Sequence, residues 1–302
     1  MAELEQFTWR LALLQQRFGV ELPIIQQALE SQIRQAAEQG AQIVLLPELH
    51  QSVYFCQCED SRNFDLAQSI PGPDSRWLSS LAKRHKLVLV GSLFEKRASG
   101  LYHNTAVVFD VDGEMVGRYR KMHVPDDPGY YEKYYFAPGD LGFKPIQTSV
   151  ARLGVLVCWD QWFPEAARAM ALHGAEILLY PTAIGWDRGD DEAEKQRQFE
   201  SWQIVQRGHA IANGLPLAAC NRTGLEQTTG DASPGIDFWG ASFACGPQGE
   251  VLGQATHSEP EVILVDIDRR RTEQVRRAWP FFRDRRVQHY HSLTKLYVDN
   301  AD

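Results

Sequence analysis

The chain of 302 residues has no apolar run approaching the roughly 20 residues that a membrane-spanning helix needs. A protein anchored by such helices is therefore not expected. Cysteine is sparse and scattered, at Cys56, Cys58, Cys158, Cys220 and Cys245. An odd number of widely separated thiols does not make a disulfide framework. Cys56-Gln57-Cys58 is spaced as CxC rather than CxxC and has no second pair at zinc spacing. The nine histidines show no ligand spacing either, and His85, His103, His123 and His173 read as structural hydrogen-bonding groups. Neither a metal nor a cofactor is expected. Positive charge is in deficit, with 31 Lys and Arg against 39 Asp and Glu, for a net charge of −8. Such a chain has no general attraction for nucleic acid or an anionic membrane surface, and is compatible with a cationic substrate. Gly/Ser-rich linkers, low-complexity blocks and short repeats are lacking as well. Met1-Ala2-Glu3-Leu4-Glu5 has neither the basic start nor the apolar core of a secretory signal. The expectation is a cytoplasmic protein, in a reducing compartment where a free thiol persists.

What is present alternates. Apolar runs at residues 9–15, 42–46, 87–94, 105–109, 115–119, 152–157, 176–180, 217–220, 241–245 and 262–266 predict strands. Patterns at 23–38, 74–85, 164–173, 191–213 and 269–278 predict helices. In the first helix Pro23 opens, Gly40 closes, and Ile25, Leu29, Ile33 and Ala36 share one face. In the long helix before Gly214 the expected buried face is Phe199, Trp202, Val205 and Ala212. One-faced helices between strands lie on a sheet, so the fold class is a layered α/β protein. The chain reads as one domain, residues 1–302. From about residue 279 it turns aromatic, basic and aperiodic, the character of an arm packing on a neighbouring subunit rather than of a free coil.

Three polar groups fall just past predicted strand ends: Glu48 after Ile43-Val44-Leu45-Leu46-Pro47, Lys121 after Met115-Val116-Gly117-Arg118-Tyr119-Arg120, and Cys158 after Leu153-Gly154-Val155-Leu156-Val157. Sites in open α/β sheets form outside the carboxyl ends of strands, so the three can converge. Taken singly, each has an ordinary explanation: a buried small thiol, a solvated carboxylate, a surface lysine. Together they make chemical sense. Pro164 suits the first turn of a helix, and a thiol facing a helix N-terminus is favoured as thiolate. A carboxylate can take the thiol proton and later hand it to a leaving amine. Lys121 and the backbone N–H of Trp159 can hold the oxyanion that forms when a carbonyl is attacked.

The segments Leu45-Leu46-Pro47-Glu48, Tyr119-Arg120-Lys121-Met122-His123-Val124-Pro125 and Gly154-Val155-Leu156-Val157-Cys158-Trp159-Asp160 resemble the motifs of the nitrilase, or carbon–nitrogen hydrolase, superfamily. The resemblance runs from the first strand to the strand at 262–266. It implies a four-layer αββα sandwich and a catalytic triad at Glu48, Lys121 and Cys158. It also implies a homo-oligomer, and a second carboxylate, Glu132 in Pro128-Gly129-Tyr130-Tyr131-Glu132-Lys133, beside that triad. The plainer alternative for Glu132 is an ion pair with Lys133 or Arg120.

Within the superfamily, Tyr54-Phe55-Cys56-Gln57, residues 123–136, residues 158–168 and Asn213-Gly214-Leu215-Pro216 are similar to the branch acting on N-carbamoylputrescine, which yields putrescine, carbon dioxide and ammonia. The implied partner is a small carbamoyl amine. Its distal ammonium calls for a carboxylate and aromatic faces. Asp187 is the candidate carboxylate, with an ordinary turn residue as the alternative; Tyr54, Tyr130 and Trp159 are the candidate walls. A carbamoyl amino acid such as N-carbamoyl-β-alanine would instead need an arginine, for which Arg188 and Arg222 are available. A non-catalytic scaffold of the same fold is a third reading, disfavoured by the presence of all three triad residues.

Overall fold

The computed structural model describes residues 7–19, 21–228 and 235–299; the acidic start of the chain lies outside them. The first sheet is built from β1 (Thr8–Gln15), β2 (Ile43–Leu45), β3 (Val88–Ala98), β4 (Leu101–Phe109) and β5 (Met115–Arg120), with β15 (Glu261–Asp268) returning to pair beside β1. β1, β2 and β3 run parallel, and the other pairings are antiparallel. The second sheet, also six-stranded among the described residues, has β6 (Ile146–Gln147), β7 (Arg152–Val155), β8 (Ile177–Pro181), β10 (Leu217–Cys220), β13 (Phe243–Cys245) and β14 (Val251–Gln254). β9 (Gly185–Asp187), β11 (Thr223–Glu226) and β12 (Ile236–Trp239) form a small third sheet.

Alternation along the strands explains the layers. Leu11, Leu13, Ile43, Leu45, Val88 and Val90 point into one core, which they share with Leu153, Val155, Leu179 and Phe243 of the second sheet. Their neighbours Ala12, Leu14, Val44, Leu46 and Leu89 point the other way, under the helices α1 (Leu22–Glu38) and α2 (Pro73–His85). Successive strand residues face opposite sides, so both faces of the first sheet must be covered. Two further helices, α4 (Pro164–Leu172) and α5 (Glu192–Asn213), bring Ala166, Ala167, Met170, Trp202 and Ala210 onto the second sheet. The order is helix, sheet, sheet, helix, the αββα sandwich. A four-residue α3 (Glu132–Tyr135) and a final α6 (Arg269–Ala278) complete the helices.

Two expectations need correction. The buried face of α5 is Trp202, Gln206, His209, Ala210 and Asn213, whereas Ala212 is exposed and Val205 only half-buried. The face is mixed because it caps a polar turn: the indole of Trp202 donates to Gln161 Oε1 at 2.8 Å, and His209 Nε2 lies 2.8 Å from the Gln161 carbonyl. The strand ending at Val157 in the sequence pattern stops at Val155, because the Val157 N–H is taken by Asp160 Oδ2 at 2.9 Å.

Beyond α6, Phe282 sits 5.0 Å from the guanidinium carbons of both Arg168 and Arg276, while Trp279, Phe281, Leu293, Leu296 and Tyr297 are exposed. This contrast sets a stability prediction. Leu179→Ala, between the sheets, should cost about 2–5 kcal/mol, whereas Leu296→Ala should stay within about 0.5 kcal/mol. Denaturant midpoints of the two variants check it.

Candidate active site

Glu48, Lys121 and Glu132 meet in full burial. Lys121 follows directly on β5, and its N–H is fixed by the Asn104 carbonyl of β4 at 2.9 Å. Its carbonyl accepts from Gly139 at 2.8 Å, and Gly139 lies so close to the Arg120 carbonyl that a Cβ would have no room. The Lys121 ammonium donates to Glu48 Oε1 at 2.8 Å and to Glu132 at 2.9 and 2.7 Å. Asn104 Nδ2 adds a 2.6 Å bond to Glu48 Oε1, and the Tyr54 hydroxyl a 2.6 Å bond to Glu132 Oε1. Glu48 Oε2 is buried with no partner among the described residues. The alternative pairing of Glu132 does not occur; Arg120 is held by Glu95 and Asp140.

Cys158 is 5% exposed and lies in the left-handed backbone region at φ +40°. Asp160 imposes that corner, accepting from the N–H groups of Val157 and His123 and from the Tyr119 hydroxyl. Such a conformation in a non-glycine residue costs on the order of 1–3 kcal/mol, held here by the surrounding bonds. Cys158 Sγ is 3.5 Å from the Ala183 carbonyl.

The expected helix N-terminus is not at the sulfur. A short 3-10 turn, Cys158–Trp162, intervenes, and α4 begins at Pro164. The thiol is not acidified. Burial pushes its pKa well up and Glu48 adds to this, with Lys121 pulling the other way and Glu132 again raising it. Burial and two carboxylates together outweigh one ammonium, so the surroundings of the sulfur favour the neutral thiol. Burial also opposes the charge of Lys121, but Glu132 and Glu48 together overcome it and hold the ammonium protonated. Burial pushes Glu132 up, Lys121 opposes that, and Glu48 reinforces it.

Cys158 opens onto a cavity of about 400 Å³ whose walls include Tyr130, Trp159, Trp162, Ile184 and Asp187. Three candidate substrate contacts, Tyr130, Trp159 and Asp187, therefore share a wall with the thiol. Tyr54 does not line the cavity; it is fully buried behind Glu132. The lining carboxylates are Asp127, Asp187, Asp190 and Glu194, against one guanidinium, Arg197, among the described residues. Arg222 is not part of that lining and is fully buried against the Glu48 and Leu49 carbonyls, and Arg188 is exposed and outside the lining. The supporting groups Asn104, Asp160 and Gln161 went unnoticed in the sequence. A polar residue inside an apolar strand, as in Tyr102-His103-Asn104-Thr105-Ala106, was the available signal for Asn104.

Residues 10–277 match the carbon–nitrogen hydrolase family. The chain is 45% identical over 273 residues to the N-carbamoylputrescine amidase of Solanum lycopersicum, covering 90% of each protein. It is 43% identical over 270 residues to the citrullinase of Francisella tularensis, covering 89% of this chain and 92% of that one. The carbon–nitrogen hydrolase of Helicobacter pylori G27 superposes with a TM-score of 0.94 at 50% identity, over 96% of this chain and 100% of that one. The chain belongs to the carbon–nitrogen hydrolase family, and its class is that of an amidohydrolase.

One pH effect follows from the site's surroundings. His50, two residues after Glu48, is fully buried and accepts the Ser92 N–H at 3.4 Å through Nδ1. Burial, aided by the charge of Arg222, lowers its pKa from 6.5 to about 3. The unfolded chain therefore takes up a proton that the fold refuses. This contribution to stability is fully present above about pH 6.5 and is lost as pH falls toward 3. His50→Asn, which keeps an acceptor for Ser92, should lose less stability between pH 6.5 and 4 than the wild type, as read by urea unfolding across that range.

Proposed function

We propose that this enzyme hydrolyses N-carbamoylputrescine with Cys158 as nucleophile, Glu48 as general base and acid, and Lys121 as oxyanion partner. What carries this reading is a buried Glu48–Lys121–Glu132 cluster whose charges act on a thiol that opens into an acidic, aromatic-walled cavity. The substrate's carbonyl carbon sits over Sγ. As the C–S bond forms, the thiol proton passes to the unpartnered Oε2 of Glu48. The developing oxyanion accepts hydrogen bonds from Lys121 Nζ and the Trp159 N–H. Glu48 then returns the proton to the leaving amine as the C–N bond breaks. In the second half Glu48 deprotonates water, which displaces sulfur from the acyl-enzyme. Glu48 returns that proton to the departing sulfur, and the carbamic acid formed by this one water loses carbon dioxide without further water, so that putrescine, carbon dioxide and ammonia balance the substrate plus one water. Glu132 orients Lys121 through its two short bonds.

The tetramethylene chain of the substrate lies against Tyr130, Trp159 and Trp162, and its ammonium is drawn to the Asp187 and Asp190 side of the cavity. Such a reaction is a step of polyamine formation in the cytoplasm. The exposed aromatic arm after α6 is assigned to packing on a second copy in a homo-oligomer. A carbamoyl amino acid is the second reading, favoured by the likeness to citrullinase and by Arg197 in the cavity wall. Against it, Arg197 is already paired with Glu194 at 2.6 Å.

The test is ammonia release from N-carbamoylputrescine, citrulline and N-carbamoyl-β-alanine. The diamine derivative should turn over fastest; faster turnover of either acid overturns the substrate assignment. Cys158→Ala should abolish turnover with an unchanged circular dichroism spectrum. Lys121→Ala should lower kcat on the order of 10²–10³-fold. A near-normal rate for either variant removes the corresponding role.

A further inference from the structure

One buried ion pair takes no part in the chemistry described so far. Arg222 just precedes β11 and Glu226 ends it, both buried, with Nη1 2.8 Å from Glu226 Oε2. The rest of the guanidinium is spent on backbone. Nε and Nη2 donate to the Glu48 carbonyl at 3.1 and 2.9 Å, Nη2 to the Leu49 carbonyl at 2.5 Å, and Nη1 to the Ser52 carbonyl at 3.0 Å. The same guanidinium lies 4.4 Å over the ring of Phe18. Leu49 is one of the few non-glycine residues at positive φ, +48°. Three carbonyls turned toward one side leave a loop that water or another donor must satisfy, and Arg222 supplies five N–H groups in a rigid fork.

Glu226 extends the same device to the other carboxylate. Its Oε2 accepts the Tyr54 N–H at 2.8 Å, and the Tyr54 hydroxyl donates to Glu132 at 2.6 Å. Pull on this pair and both acids beside Lys121 shift. We propose that Arg222 and Glu226 are positioning residues for the reaction: Arg222 fixes the backbone that carries Glu48, and Glu226 fixes Tyr54 and through it Glu132. This rests on Glu48 acting as the base. It also explains why a cation stands so near the active site without lining the cavity, and why it is not a carboxylate-binding arginine for substrate.

Removing one partner alone would strand a buried charge, so the variants are Arg222→Lys, which keeps the charge but loses the fork, and Arg222→Met combined with Glu226→Gln, which removes both charges. Each full-length variant is measured for thermal unfolding, for kcat and KM on N-carbamoylputrescine, and for alkylation of Cys158 by iodoacetamide, read by mass spectrometry. The expected result is a kcat lower on the order of a hundredfold, as for a misplacement of about 1 Å, with KM little changed. Alkylation of Cys158 should slow in step with kcat, since no base then reaches the thiol. A purely structural role would lower the unfolding temperature and leave kcat and the alkylation rate of the folded protein untouched; that outcome, or a loss confined to KM, overturns the proposal. Glu48→Gln, run alongside, separates the two layers. If it is inactive while the Arg222 variants keep wild-type kcat, the clamp falls and the base stands. If Glu48→Gln turns over normally, the base assignment itself falls.

Discussion

The site is organised around one ammonium that has no water. Lys121 is enclosed by Glu48 and Glu132, all three fully buried. Stripping water from such ions costs several kcal/mol each unless every lone pair and proton is answered. Asn104 and Tyr54 provide much of that answer. The three ions arrive from separate places in the chain: after β2, after β5 and on α3. Their mutual attraction holds those segments together, and the surplus negative charge of the cluster opposes ionisation of the Cys158 thiol.

The two sheets contribute in different ways. The first carries the ions. The second carries the thiol, at the turn beyond β7, and locks it to the first. The Glu48 N–H donates to the Thr182 carbonyl at 3.2 Å, and Gln161 Nε2 reaches Thr182 Oγ1 at 2.6 Å. Asn221 grips Ile184 by both its N–H and its carbonyl, holding the loop whose Ala183 carbonyl faces Sγ. Strand-end corners of opposite sheets therefore touch directly at Glu48 and Thr182. The sandwich is less a container for the site than the means by which its halves are registered.

Much of this was legible in the sequence because it is periodic or motif-borne. The long strands and helices announce themselves by alternation and by one-faced spacing, and Glu48, Lys121 and Cys158 each stand just past an apolar run. What stayed hidden is short or non-local. β6, β9, β11, β12 and β14 have two to four residues, too few for alternation to register. Trp202 marks the face of α5, but the polar members do not: His209 is explained by the carbonyl of Gln161 in a distant turn, and Gln206 and Asn213 bond back to carbonyls of α5 itself. Tyr54 looked like a cavity wall since aromatics at a loop read that way; only the fold places it behind Glu132. Arg222 looked like a ligand for an anionic substrate, and only the fold reveals that carbonyl oxygens consume it. The spacing around Cys158 points to a helix end, but the α-helix begins only at Pro164, and the carboxylates that act on the sulfur come from segments distant in sequence.

A thiol whose surroundings disfavour its ionisation has a further consequence. It is the thiolate that attacks peroxides and disulfides, so susceptibility to oxidation follows both ionisation and exposure. Cys158 has little of either. In the role proposed for Cys158, burial and the direction of its pKa shift both work against oxidation between turnovers. On the proposed function, electrophiles with a cationic tail that react as a base removes the thiol proton suit this acidic cavity better than reagents that require a pre-formed thiolate.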